Sequence, residues 1–243
     1  MSIFSRLTHP PRIVSPELET AEQVDAFIDS RALEYSTRLE DQFVERALAL
    51  GVGGGMLLDV GTRVGLIALK ILWHNENFYA IGIDGSSAMI ERASETAIAW
   101  RLGERAFFQV GDARRMRFKA AYFDLVVSDS TLHCFDDPVS VLGEINRVLK
   151  PKGALLIRDL QRPSHLRMSK HIGEHGSHYG SAMRQYVEAA LRGAYTRAEL
   201  EDIIQASRLE RVRLVELDKH YMAIERTGES DPNSWIKARE QYL

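Results

Sequence analysis

The sequence predicts an α/β fold, a mostly parallel, doubly wound sheet with helices on both faces, and three observations predict it. Short apolar segments of strand length alternate with segments of helical spacing between residues 56 and 158. The first such segment, Leu57-Leu58-Asp59-Val60, breaks at once into Gly61-Thr62-Arg63-Val64-Gly65 before a helix begins. Glycines in a strand–turn–helix junction let the main chain approach a ligand and take positive φ without a Cβ penalty. Finally, three successive strands each end in an acid within two residues of a glycine: Asp59, Asp84 and Asp112.

In chain order, the Pro-containing stretch from His9 to Pro16 reads as an extended arm, followed by helical sequence from about Thr20 to Leu50 that Gly51-Val52-Gly53-Gly54-Gly55 ends. Strands are expected at Met56–Val60, Phe78–Ile83, Ala106–Val110, Phe123–Ser128 and Ala154–Arg158. Helices are expected from Val64 to about Trp73, from Ser86 to about Arg101 and from about Pro138 to Leu149. Residues 1–50 are read as an arm and helices of the same domain, and 51–243 as the body of it, with an insertion at 162–192. There is no internal repeat and no low-complexity segment.

Asp59 stands at the mouth of the first strand, where a carboxylate can meet a cation or a pair of hydroxyls. A dinucleotide-binding turn would need Gly-x-Gly-x-x-Gly, but Gly61 and Gly65 are separated by Thr-Arg-Val, leaving no glycine where a pyrophosphate needs the closest approach. The turn instead resembles motif I of the class I S-adenosylmethionine (SAM)-dependent methyltransferases, acid-x-Gly-x-Gly-x-Gly, with Arg63 in place of the middle glycine. Asp84 in Ile83-Asp84-Gly85-Ser86 matches the family's ribose-binding acid, and Met89 lies on the helix that follows. In Gly111-Asp112-Ala113 the resemblance implies that Asp112 accepts the adenine amino group and Ala113 offers its backbone N–H.

Ser128-Asp129-Ser130-Thr131-Leu132-His133 resembles the family's motif IV loop, which borders both the methionine moiety and the methyl acceptor. The cofactor set expected from the likeness is therefore Asp59, Gly61, Thr62, Arg63, Gly65, Asp84, Gly85, Ser86, Met89, Gly111, Asp112, Ala113, Ser128, Asp129, Ser130 and His133, with SAM as the cofactor. Leu149-Lys150-Pro151-Lys152-Gly153 resembles the turn common before the fifth strand, and Asp124 is read as fixing the start of the fourth. The likeness covers residues 56–158 well and extends loosely to Leu209–Leu217 and Lys219–Arg226, read as the hairpin that completes a Rossmann-like, seven-stranded sheet. Its nearest likeness is to the small-molecule methyltransferases of ubiquinone and menaquinone biosynthesis, without a match that names the substrate.

The insertion Arg162–Arg192 carries His165, His171, His175 and His178 with Tyr179 and Tyr186, and reads as a helical lid over the acceptor. Its substrate-side candidates are His171, His175, His178 and Tyr179, and the candidate general bases are His133 and His175, since imidazole titrates near working pH. His171-Ile172-Gly173-Glu174-His175 also fits the inverted zinc-protease pattern His-x-x-Glu-His, but Gly173 inside and Gly176 after it weaken that helix, so no metal is expected.

A net charge of −3 and the lack of a Lys/Arg block favour a small-molecule acceptor over nucleic acid. Cys134 is the only cysteine, which excludes an internal disulfide. Neither a signal peptide nor a run of about 18 apolar residues is visible, so a cytoplasmic protein with no membrane span is expected, and homodimer formation is left open. The mechanism implied is in-line methyl transfer from SAM to a small-molecule oxygen, nitrogen or carbon. The alternatives are a SAM-binding protein without transferase activity, to which Arg63 lends some weight, and an enzyme that uses SAM without moving its methyl.

Overall fold

A computed structural model describes residues 9–14, 21–31 and 34–229. Seven strands form one sheet: β1 (Gly55–Val60), β2 (Phe78–Asp84), β3 (Ala106–Val110), β4 (Phe123–Asp129), β5 (Leu149–Leu160), β6 (Arg213–Glu216) and β7 (Tyr221–Arg226), in the order β3-β2-β1-β4-β5-β7-β6. The first five run parallel, and β7 lies antiparallel between β5 and β6. The doubly wound sheet and its terminal hairpin are those the sequence predicts.

Both faces of the sheet are covered, and β1 shows why. Successive strand residues point to opposite faces, yet Leu57 and Leu58 are both fully buried. Leu57 joins a core with Phe43, Val44 and Ala47 of α2 (Glu34–Leu48) and Ala68, Leu69 and Leu72 of α3 (Leu66–His74). Leu58 joins the opposite core with Val141, Leu142 and Ile145 of α5 (Pro138–Val148) and Leu200 of α8 (Arg197–Ser207). Burying a Leu or Ile side chain contributes about 1.5–3 kcal/mol, so these two layers dominate the favourable side of folding.

Several boundaries differ from the sequence expectation. The helical stretch before β1 is two helices, α1 (Ala21–Arg31) and α2. The expected turn at Lys150-Pro151-Lys152 is part of β5, which starts at Leu149 with a register shift against β4. Helix α8 lies in a stretch given no element from sequence; Thr196 and Glu199 close a reciprocal capping box at its start, and Arg162 holds Glu199 at 2.5 Å. The Asp124 carboxylate accepts from Met56 N at 2.9 Å and from Lys150 Nζ at 2.8 Å, pinning the starts of β1 and β5 to β4.

The insertion after β5 forms α6 (His165–Gly176) and α7 (Ser181–Gly193). Helix α7 packs against α1 through Met183 and Tyr186 beside Val24 and Phe27. The arm at residues 9–14 crosses the end of α7: Arg12 donates to the carbonyls of Gly193, His133 and Phe135 at 2.7–2.8 Å and stacks on Tyr195. No helix among the described residues is long and apolar enough to cross a membrane.

Candidate active site

The strand order reverses between β1 and β4, and open α/β sheets form their ligand crevice at such a switch point, outside the carboxyl ends of the strands. A cavity of about 760 Å³ opens there. Its lining falls into two regions. Ile83, Asp84, Gly85, Ser86, Val110, Gly111, Asp112 and Ala113 come from the ends of β2 and β3, with Met89 from the helix after β2, while Gly61, Arg63, Thr131, Cys134, Phe135 and Tyr186 come from the glycine turn, the loop after β4 and α7.

The turn after β1 is built by two residues that tolerate positive φ. Gly61 (φ 72°) approaches the loop after β4 so closely that a Cβ would run into the Thr131 side chain. Gly65 (φ 80°) begins α3 beneath Phe108, whose ring a Cβ would meet at 2.7 Å. Arg63, at the position of the missing glycine, also takes positive φ, 51°, a conformation costly for a residue with a Cβ. Its guanidinium donates to Ser130 O, reaches Tyr186 OH at 3.5 Å and lies over the Phe27 ring at 5.0 Å. One side chain thus joins the glycine turn to the β4 loop, the lid and α1.

Asp84 is set for a diol. Its Oδ2 accepts from Arg63 N at 2.9 Å and its Oδ1 from Ser86 N at 3.0 Å, which fixes the carboxylate at the cavity edge with one lone pair of each oxygen still to use. Ser86 also caps α4 (Ser87–Ala99) through Met89 N. Asp112 is bound differently: Arg114 grips it with a side-chain contact at 3.0 Å and a backbone bond at 2.8 Å, and holds its carboxyl below the usual range. Ile83, Met89, Val110 and Ala113 supply apolar walls between these two acids. This donor set fits an adenosine: a carboxylate for the ribose, an apolar slot for the base and an acid at its rim.

Other expected residues lie beneath the crevice rather than on it. Asp59 is buried under the glycine turn, where Thr62 Oγ1 donates to it at 2.8 Å. Burial, opposed by that bond and reinforced by nearby Asp129, pushes its carboxyl up to about 7. Ser128 is buried and donates to Val60 O at 2.8 Å, which ties β4 to β1 instead of facing the cavity. Asp129 forms a two-bond pair with Arg158, both contacts 2.8 Å, and accepts from Ser130 Oγ at 3.2 Å. Gly61, Thr62, Arg63, Asp59 and Asp129 surround a second, small cleft with Phe27.

His133 sits on the short 3-10 turn Leu132–Cys134 and is fully buried, its Nδ1 2.6 Å from Asp159 Oδ1, with its backbone N–H donating to Asp159 Oδ2 at 2.9 Å. Burial disfavours the imidazolium, but the Asp159 carboxylate outweighs it and holds the ring up to about 10, which favours the protonated form. Asp159, at the end of β5, escaped sequence reading because its partner lies in the loop after another strand, β4. An acid at a strand end facing a loop histidine was the available signal.

The lid departs from expectation in which residue it presents. Tyr186 of α7 lines the cavity; His171, His178 and Tyr179 do not. His171 is buried against His220 of the β6–β7 hairpin, ring centroids 4.7 Å apart, and Tyr179 OH meets Ser36 Oγ at 3.2 Å. The side chain of His175 lies outside the described residues. Glu174 is held by Lys219 at 2.8 Å, and no three His, Cys, Asp or Glu side chains among the described residues group to hold a metal.

Comparison with known proteins agrees with this architecture. Residues 58–157 match a family described as a methyltransferase domain. The chain is 32% identical over 126 residues to the 27-O-demethylrifamycin SV methyltransferase of Amycolatopsis mediterranei, covering 52% of this chain and 45% of that one. It is likewise 32% identical over 152 residues to a demethylmenaquinone methyltransferase of Thermotoga maritima, covering 63% of each. The chain therefore spans about half to somewhat under two thirds of the length of these curated relatives. Among solved structures, a putative S-adenosyl-L-methionine-dependent methyltransferase from Methanococcus maripaludis superposes with a TM-score of 0.66 at 16% identity, over 90% of this chain and 97% of that one.

Proposed function

Because the chain carries a class I SAM-dependent methyltransferase domain, we propose that the whole protein transfers a methyl group from SAM to a small-molecule acceptor. The observation that carries the reading is Asp84: a carboxylate fixed by two backbone N–H groups at the end of β2, facing a cavity beside a glycine turn. When bound, the cofactor supplies a methyl already activated by the sulfonium charge, so the protein has chiefly to align, exclude water and manage a proton. Asp84 holds the ribose, with Gly85 and Ser86 beside it. Ile83, Met89, Val110 and Ala113 enclose the base, Asp112 borders it, and Gly61, Arg63 and Thr131 floor the methionine end.

The acceptor enters on the side of Cys134, Phe135 and Tyr186, covered by residues 162–192 and by the arm that Arg12 fastens. His133, held by Asp159, stands buried behind that side. We place the protein in the cytoplasm, with no nucleic-acid partner. The competing reading, a SAM binder without transferase activity, drew on Arg63; its guanidinium is engaged with Ser130, Tyr186 and Phe27, which gives a structural reason for the arginine and leaves that reading no support of its own.

The test is direct. Calorimetry is expected to show micromolar binding of SAM and S-adenosylhomocysteine and none of NAD; the reverse result refutes the assignment. Incubation with methyl-labelled SAM and a metabolite pool, followed by mass analysis, identifies the acceptor, and labelled product separates a transferase from a binder.

A further inference from the structure

Cys134 borders the cavity together with Thr131, Phe135, Arg63 and Tyr186. Behind it, His133 is fixed at Nδ1 by the buried Asp159, while its buried Nε2 has no partner of hydrogen-bond geometry. A buried polar atom left unsatisfied calls for a functional account. Because Nε2 is closed off from solvent and His133 does not line the cavity, the imidazole itself does not meet an acceptor. The neighbouring thiol does stand on the cavity wall.

The electrostatics around that thiol agree with its place. Burial pushes Cys134 up, but the His133 imidazolium and the Arg63 guanidinium outweigh it and hold the thiol below its ordinary value, with Asp159 opposing them weakly. Tyr186, whose ionisation burial pushes well above its usual range, faces Cys134 as a neutral hydroxyl. Nearby, Tyr195 donates its hydroxyl to Phe135 O at 3.0 Å, and Arg12 is spent on the His133 and Phe135 carbonyls. Thiolate character in a cysteine arises in such cationic, partly enclosed surroundings.

We propose that Cys134 is the group through which this chain takes the proton of the methyl acceptor, with His133 and Asp159 behind it as the positioning pair. This rests on the methyl-transfer reading. The acceptor's X–H bond breaks with its proton passing to Cys134 Sγ, and the electron pair left on X forms the new X–CH₃ bond. The pair of the breaking S–CH₃ bond stays on the departing sulfur. A thiolate and a sulfonium thereby become a thiol and a neutral thioether, so charge balances without a further reagent.

The single cysteine makes the test clean, because intact mass reports its alkylation alone. Iodoacetamide modification of the folded protein, followed against pH, is expected to reach half its maximal rate well below the free-thiol value of about 8.5. His133→Asn is expected to raise that midpoint by about one pH unit or more. S-Adenosylhomocysteine is expected to slow the modification. In turnover, Cys134→Ala is expected to lower kcat by roughly a hundredfold and to remove the acidic limb of the pH profile, while SAM affinity stays within about threefold of the wild type.

A wild-type midpoint at the ordinary thiol value, or Cys134→Ala turning over with an unchanged pH profile, overturns the proposal. Should His133→Asn fail to fold, the wild-type midpoint and the Cys134→Ala profile decide alone. Failure to bind SAM at all refutes the transferase reading, and this proposal with it. SAM binding with undiminished Cys134→Ala turnover refutes this proposal only.

Discussion

Replacing Asp59 by Asn should stabilise the protein at alkaline pH and do nothing for it in acid. Asp59 is buried beneath the glycine turn with one hydrogen bond from Thr62 and with Asp129 close by, and its carboxyl is pushed from 3.8 up to about 7, mainly by burial. The folded-state value lies above the unfolded one, so the folded chain keeps a proton that the unfolded chain loses first. The stability this contributes is complete below about pH 4 and is lost as pH rises through about 7. At 1.36 kcal/mol per tenfold step, a rise from 3.8 to about 7 corresponds to about 4 kcal/mol at most.

Asparagine keeps the shape and still accepts from Thr62 without carrying the charge. Urea unfolding of both proteins between pH 4 and 8 should therefore give curves that coincide near pH 4 and separate by about 2–4 kcal/mol in favour of Asp59→Asn at pH 8. A difference independent of pH, or one favouring the wild type at pH 8, refutes the reasoning.

Asp84→Ala should weaken SAM by about 1–3 kcal/mol in calorimetry, because two hydroxyls lose a charged acceptor, and unchanged affinity would place the ribose elsewhere. Gly61→Ala meets both a left-handed backbone and the Thr131 side chain, so a fall in urea stability of about 1–3 kcal/mol with loss of SAM binding is expected; wild-type behaviour would show that the turn can move. Substituting Tyr186, which lines the cavity from α7, should lower turnover more than SAM affinity, as read by kcat beside calorimetry. Equal loss of both, or none, contradicts a lid over the acceptor.

What was legible in the sequence is what local pattern encodes. The continuous apolar run at Leu57-Leu58 announces a strand covered on both faces, the break at Gly61 announces the turn, and Asp84 and Asp112 mark the ends of the next two strands. What escaped is set by pairing across the fold. Nothing local tells that Asp129 is paired with Arg158 of the neighbouring strand and Ser128 with the Val60 carbonyl, or that Asp59 lies under the turn rather than at its mouth. The lid shows the same limit: its histidines are conspicuous in sequence, but helix phase turns His171 toward the hairpin and Tyr186 toward the cavity. Cys134 and Asp159 become readable only once β5 brings them to the same place.

The position of the lid in the chain order has an evolutionary reading. Helices α6 and α7 belong to the connection that leaves β5 at Leu160 and re-enters the same sheet as β6 at Arg213, on the far side of β7. In polymer terms the proposed cover over the acceptor is a loop whose ends the sheet already holds together, and doubling the length of such a loop costs only about 0.6 kcal/mol in closure entropy. The cofactor half of the cavity, by contrast, is made by strand ends whose register cannot slip without turning every side chain over. On the proposed reading, acceptor choice can thus be rewritten by lengthening, shortening or exchanging one segment, while the half that reads the common cofactor stays as it is.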